Sequence, residues 1–246
     1  MFDFSWNSDD THFITALVWS VVGFASYYFL SLNKSLTKKI SRLNPGLNDQ
    51  VKYVVLQRSW GLLFLGVMSC LIIALILKNS LADFGLGLSF YAAPPWWSYL
   101  SIPLIVVAVY FTSSKPGNLA LYPQMRIKEW TPGILVLSSI SWIFFLIAYE
   151  FLFRGFLLFS SLEVLKPWPA IALNCSIYAF AHFYKGPGET FGAIPLGFLL
   201  CYLTLITGNI WSAVVIHSVM AISNEWFSIR ANPGIKWNVK KLENEK

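Results

Sequence analysis

Ala148-Tyr149-Glu150-Phe151-Leu152-Phe153-Arg154-Gly155 places one carboxylate and one guanidinium inside an otherwise apolar stretch. From Gly133 to Leu162 the chain has no other Asp, Glu, Lys, Arg or His. A run of that length and polarity crosses a bilayer as a helix, because a helix satisfies its backbone groups internally. An ionisable side chain at that depth costs at least ~2.5–3.5 kcal/mol, so by default it marks a functional site and needs a partner. Glu150 and Arg154 are four residues apart and share one helix face, so each is the other's first partner. Pairing lowers the cost of both and holds Glu150 ionised and aimed. A structural ion pair that fixes the packing of a helix bundle uses the same two residues in the same way.

Working outward, the same character extends along the chain. Of 246 residues 56% are hydrophobic and 12% charged, with a mean hydropathy of +0.59. A soluble domain carries roughly twice that charge fraction. The apolar residues come in blocks, which predicts an all-α, polytopic transmembrane bundle with spans near 12–32, 58–78, 96–114, 133–161, 168–184, 191–207 and 210–229. The fourth is long enough to tilt, to extend past the bilayer core, or to break near Glu150, which would make eight spans from seven. Leu81 to Phe90, with Asp83 and two glycines, reads as an interfacial turn. Trp96, Trp97, Trp130, Trp168 and Trp211 fall at segment ends, where an aromatic belt lies.

With the N-terminus outside and the C-terminus inside, only Lys78, Arg154 and Lys166 of the 18 basic residues fall in the outer half. The others, Arg58 among them, are assigned to cytoplasmic loops and the tail, a strong positive-inside asymmetry. The net charge of +6 therefore describes loop placement and not nucleic-acid binding. The organisation expected is an acidic N-terminus and two helices over 1–80, a membrane-embedded bundle over 81–230 and a basic tail over 231–246. The start Met-Phe-Asp-Phe lacks a basic n-region and a cleavage site, so the first span is expected to serve as the insertion signal. Together with the charge bias, this favours a bacterial inner membrane. Cys70, Cys175 and Cys201 lie in apolar segments without CxxC spacing and read as small core residues.

Two further apolar segments each deliver one histidine. Asn174, Tyr178 and His182 recur every fourth residue and form one polar stripe; Glu189 follows in the turn after His182, and His217 sits within the last span. Imidazole titrates near neutrality and serves as base, acid, oxyanion donor or metal ligand. Lys185 and Glu189 read most simply as a loop pair. Taken singly, His217 reads as a hydrogen-bonded packing residue.

In order and spacing these segments resemble the CPBP intramembrane protease family, which includes CAAX proteases and bacteriocin-processing enzymes and is also called Abi. The family's Glu-Glu-x-x-x-Arg motif appears as Tyr149-Glu150-Phe151-Leu152-Phe153-Arg154, its Phe-x-x-x-His as Tyr178-Ala179-Phe180-Ala181-His182, and its His-x-x-x-Asn as His217-Ser218-Val219-Met220-Ala221. The resemblance covers about residues 80–230. It implies an eight-helix-type α-bundle that cuts membrane-associated peptide or protein substrates near the C-terminus. Carried over, Glu150 and His182 activate a water, Arg154 orients Glu150, and His217 donates to the oxyanion. Two positions depart from the pattern: Tyr149 replaces the first Glu, usually assigned as the base, and Ala221 replaces the Asn. Either the site is rewired, with Glu150 or Glu189 as base, or the chain is a non-catalytic scaffold, immunity factor or partner subunit. A transporter using these groups as a relay lacks the expected repeat symmetry. No required cofactor is expected; zinc on two His and one or two carboxylates is the open alternative. Prenylated CAAX termini, peptide leaders and membrane-protein tails are all open as substrates.

Overall fold

Long blocks of Leu, Ile, Val and Phe, interrupted by few charges, give helices throughout. The computed structural model describes residues 4–33, 35, 39 and 47–238. Five helices are long and apolar enough to cross a membrane: α1 (Ser8–Ser31), α2 (Asp49–Leu77), α3 (Trp96–Ser113), α4 (Pro132–Val164) and, after α5 (Pro167–Phe180), α6 (Pro187–Thr207). The remaining long helix is α7 (Trp211–Ala231). The basic residues Lys34, Lys38, Arg42, Lys240, Lys241 and Lys246, counted above for orientation, lie outside the described residues.

The helices revise the expected spans at two places. The segment 168–184 is realised as α5, whose 14 residues reach about 21 Å, short of a hydrocarbon core. The segment 210–229 is realised as α7, which has 21 residues but carries His217, Asn224, Glu225 and Arg230 and is less apolar than the five. The fourth span does not break at Glu150. It runs for 33 residues, and a π-helical turn over Phe151–Leu157 absorbs the irregularity. The expected turn near 81–90 is realised as a kinked turn over Ala82–Leu86, with Phe84 and Gly85 outside helical geometry and Gly85 at φ +78°.

Two compact units divide the described chain. The first takes in Met1–Tyr28, Gly61–Pro95 and Ile147–Val215. Within it α2 and α4 approach closely at small residues: a Cβ on Gly66 would lie 2.8 Å from the Ala148 Cβ. Gly155 likewise admits the Ala82–Leu86 turn, since a Cβ there would lie 2.7 Å from the Phe84 carbonyl oxygen. Leu158, Ala170, Ile171, Cys175 and Cys201 pack as one buried cluster.

The second unit takes in Phe29–Trp60, Trp96–Leu146 and Ile216–Lys246. Val51, Val54, Met125, Ile127, Trp130 and Ile229 form its buried apolar cluster. A two-residue parallel pairing joins β1 (Glu129–Trp130) to β2 (Lys236–Trp237). Lys236 N–H donates to the Lys128 carbonyl at 2.8 Å and Asn238 N–H to that of Trp130 at 2.9 Å.

Candidate active site

Glu150 closes the α-helical part of α4 and Arg154 lies in the π turn that follows. Both side chains are fully buried, and Arg154 Nη1 stands 3.2 Å from Glu150 Oε2. The guanidinium also lies 4.0 Å above the Tyr178 ring, a cation–π contact that strengthens when desolvated. Gly197 on α6 leaves room for both, because a Cβ there would sit 3.1 Å from the Tyr178 ring and 3.4 Å from Arg154 Nη2. Among the described residues no hydrogen bond reaches Arg154 Nε, Nη1 or Nη2, so the contact with Glu150 is an ion pair without hydrogen-bond geometry. The buried cation is therefore held by one carboxylate and two ring faces, that of Tyr178 and, at 5.9 Å, that of Phe153.

Tyr178 has His182 on its other side, with ring centroids 4.7 Å apart. The polar stripe expected from Asn174 to His182 is not one continuous helix face: α5 ends at Phe180 and His182 follows in a turn. The Gly186-Pro187-Gly188 sequence restarts the chain as α6, with Gly186 at φ +96°. His182 closes the end of α5 through its ring. Nδ1 lies 2.9 Å from the Tyr178 carbonyl oxygen, which accepts only, so Nδ1 carries the proton and Nε2 of the neutral ring is the basic nitrogen.

Tyr149, at the first position of the Glu-Glu motif, is buried among aromatic rings. Those of Phe24, Phe153, Tyr178 and His182 lie 6.5, 4.8, 5.8 and 6.1 Å away. Glu150, Arg154, Tyr149, Tyr178 and His182 are thus brought together in the first unit. Glu189, in the first turn of α6, pairs with Lys185 at 3.2 Å, the loop pair that its spacing suggested. His217 and Ala221 lie on the part of α7 that belongs to the second unit, both buried. Among the described residues no three His, Cys, Asp or Glu side chains gather as a metal-binding group.

A second buried charge network went unread in the sequence. Arg58, counted there as a loop cation, is buried in the second unit. Its Nη1 donates to the Ser138 carbonyl at 2.8 Å and Ser141 Oγ at 2.7 Å, and its Nη2 to Gln124 Oε1 at 3.0 Å. Glu225 Oε1 lies 3.9 Å from Nη2 and accepts from Ser138 Oγ at 3.2 Å. The signal was present in Glu225, an isolated carboxylate in an apolar helix that required a cation.

Residues 128–223 match the family model described as Rce1-like, type II CAAX prenyl endopeptidase. The matched segment contains all three motifs, and the description it matches is that of the CPBP and CAAX protease family that those motifs resemble. That family is membrane-integral, in keeping with the five long apolar helices. No curated protein and no solved structure matches the chain.

Proposed function

We propose that the chain is an intramembrane endopeptidase of the CPBP type that hydrolyses a peptide bond in a membrane-associated substrate. The observation that carries this reading is the Glu150–Arg154–Tyr178–His182 arrangement within the family-matching segment. A peptide hydrolase needs a base for water, a group to orient that base, and a donor for the oxyanion. His182, with Nδ1 committed to a backbone carbonyl, offers Nε2 as the base-competent nitrogen. Glu150 is the carboxylate that shares in activating the water, and Arg154 fixes its orientation. Tyr149 replaces the usual carboxylate with a phenol that donates a hydrogen bond and leaves base function to Glu150 and His182. The oxyanion role of His217 rests on its motif. Prenylated CAAX termini fit the prenyl-endopeptidase family that residues 128–223 match, while leaders and membrane-protein tails remain substrates of the same class.

The packing of Tyr149 among rings and the pairing of both carboxylates with cations favour a second reading, a non-catalytic membrane scaffold. Terminus-selective proteomics separates the two without a known substrate. Membranes bearing the wild-type chain should show new C-termini that are missing with Glu150→Gln and with His182→Ala at equal expression. Identical terminus profiles for all three would establish the scaffold.

A further inference from the structure

Fully buried Asn174, on α5, bridges the turn that carries Arg154 to a thiol on α6. Its Nδ2 donates to the Phe153 carbonyl oxygen, and its Oδ1 accepts from the Cys201 thiol at 3.2 Å. The amide orientation is fixed chemically, since a carbonyl oxygen only accepts and the Nδ2 face must meet it.

Phe153 lies inside the π turn, where helical hydrogen bonding is diluted: the Leu158 N–H is shared between the carbonyls of Gly155 and Phe153. A π turn is a strained insertion that persists where its surroundings hold it, and such turns recur at functional sites. Phe153 O is the carbonyl immediately preceding the Arg154 amide. The orientation of that peptide sets the backbone from which the guanidinium reaches Glu150 Oε2 and the Tyr178 ring.

We infer that Asn174 is a positioning residue for the Glu150–Arg154 pair, acting through the Phe153 carbonyl, with the Cys201 thiol holding its amide in the donating orientation. This rests on the hydrolase reading for its effect on turnover, but not for its effect on the turn. Neither residue belongs to the three motifs. Asn174 touches no reacting atom; what it fixes is the angle at which the π turn presents Arg154 to Glu150.

The test uses the full chain in lipid nanodiscs with carbonyl-13C phenylalanine and 15N arginine. Phe153–Arg154 is the single Phe-Arg bond in the sequence, so one cross-peak reports this carbonyl. In Asn174→Leu that peak should move upfield, and kcat on a farnesylated peptide with a CAAX terminus should fall ~10–100-fold while KM stays within about twofold. Asn174→Asp has the same shape but donates only when its carboxyl is protonated. Its peak position and its turnover relative to wild type should both recover as pH falls, a dependence that loss of packing alone would not produce. If Asn174→Leu does not fold, Asn174→Asp carries both readouts. A wild-type peak position in the variants, or a displaced peak with unchanged kcat, overturns the inference. If the wild-type chain leaves the peptide intact, the hydrolase reading fails for that substrate, and the cross-peak still decides whether Asn174 sets the turn.

Discussion

Arg154 sits in a fully buried position with one carboxylate and the Tyr178 and Phe153 rings around it, so its removal has a cost beyond lost contacts. Arg154→Met leaves Glu150 as an uncompensated buried charge, and breaking such a pair costs ~3–5 kcal/mol. The double variant Glu150→Gln, Arg154→Met removes both charges. Its thermal unfolding in detergent should therefore fall above that of Arg154→Met alone; the reverse order would mean that the two groups do not depend on each other. The pair was legible in the sequence because two charges four apart in an apolar helix have few other solutions. The partner of Tyr149 was not legible, since Phe24, Tyr178 and His182 reach it from distant parts of the chain.

At the level of elements, what the sequence hid is the π turn and the early end of α5. Phe151-Leu152-Phe153-Arg154-Gly155-Phe156-Leu157 is apolar on every side, so its periodicity does not separate a π turn from an α-helix. The end of α5 was hidden for a related reason. Apolar residues continue past Phe180, whereas the helix is closed by a ring nitrogen bonding back to the Tyr178 carbonyl. Gly155 reads as a motif residue, yet its neighbours show its task. The Phe84 carbonyl and the Phe151 ring would each lie 2.7 Å from an added Cβ. Gly155→Ala should lower stability by ~1–3 kcal/mol as the Ala82–Leu86 turn is pushed away. Gly197→Ala meets side chains at 3.1–3.4 Å and should cost less stability while disturbing Arg154 and Tyr178. Unfolding midpoints and turnover for the two variants, compared side by side, check this ordering.

Across the whole molecule, charge supports both packing and orientation. In the second unit, Arg58 joins the Ser138 carbonyl, Ser141 and Gln124, with Glu225 beside it. Arg58→Lys keeps the charge but loses the planar fork, so it should melt between wild type and Arg58→Met. Melting of Arg58→Lys level with wild type would show that charge alone matters there, and melting level with Arg58→Met that only the fork does. The excess of Lys and Arg in the loops expected to be cytoplasmic predicts that Asn7→Cys, in a background without Cys70, Cys175 and Cys201, reacts with an impermeant maleimide on intact cells. Gly117→Cys should react only after lysis, and the opposite pattern would reverse the orientation. The all-helical class and the positions of most spans were legible because composition and block length set them. The short α5 and the Arg58 network were not, because they depend on pairings between distant segments.

Turnover of a farnesylated CAAX-terminated peptide by the purified chain, wild type beside Glu150→Gln and His182→Ala, each confirmed as folded, decides whether these two residues activate water. General acid–base catalysis contributes roughly 10²–10⁴-fold, so each variant should lose at least ~100-fold in kcat while the wild-type chain releases the C-terminal tripeptide. Full turnover by Glu150→Gln would contradict the assignment of Glu150 and His182 as the groups that activate water.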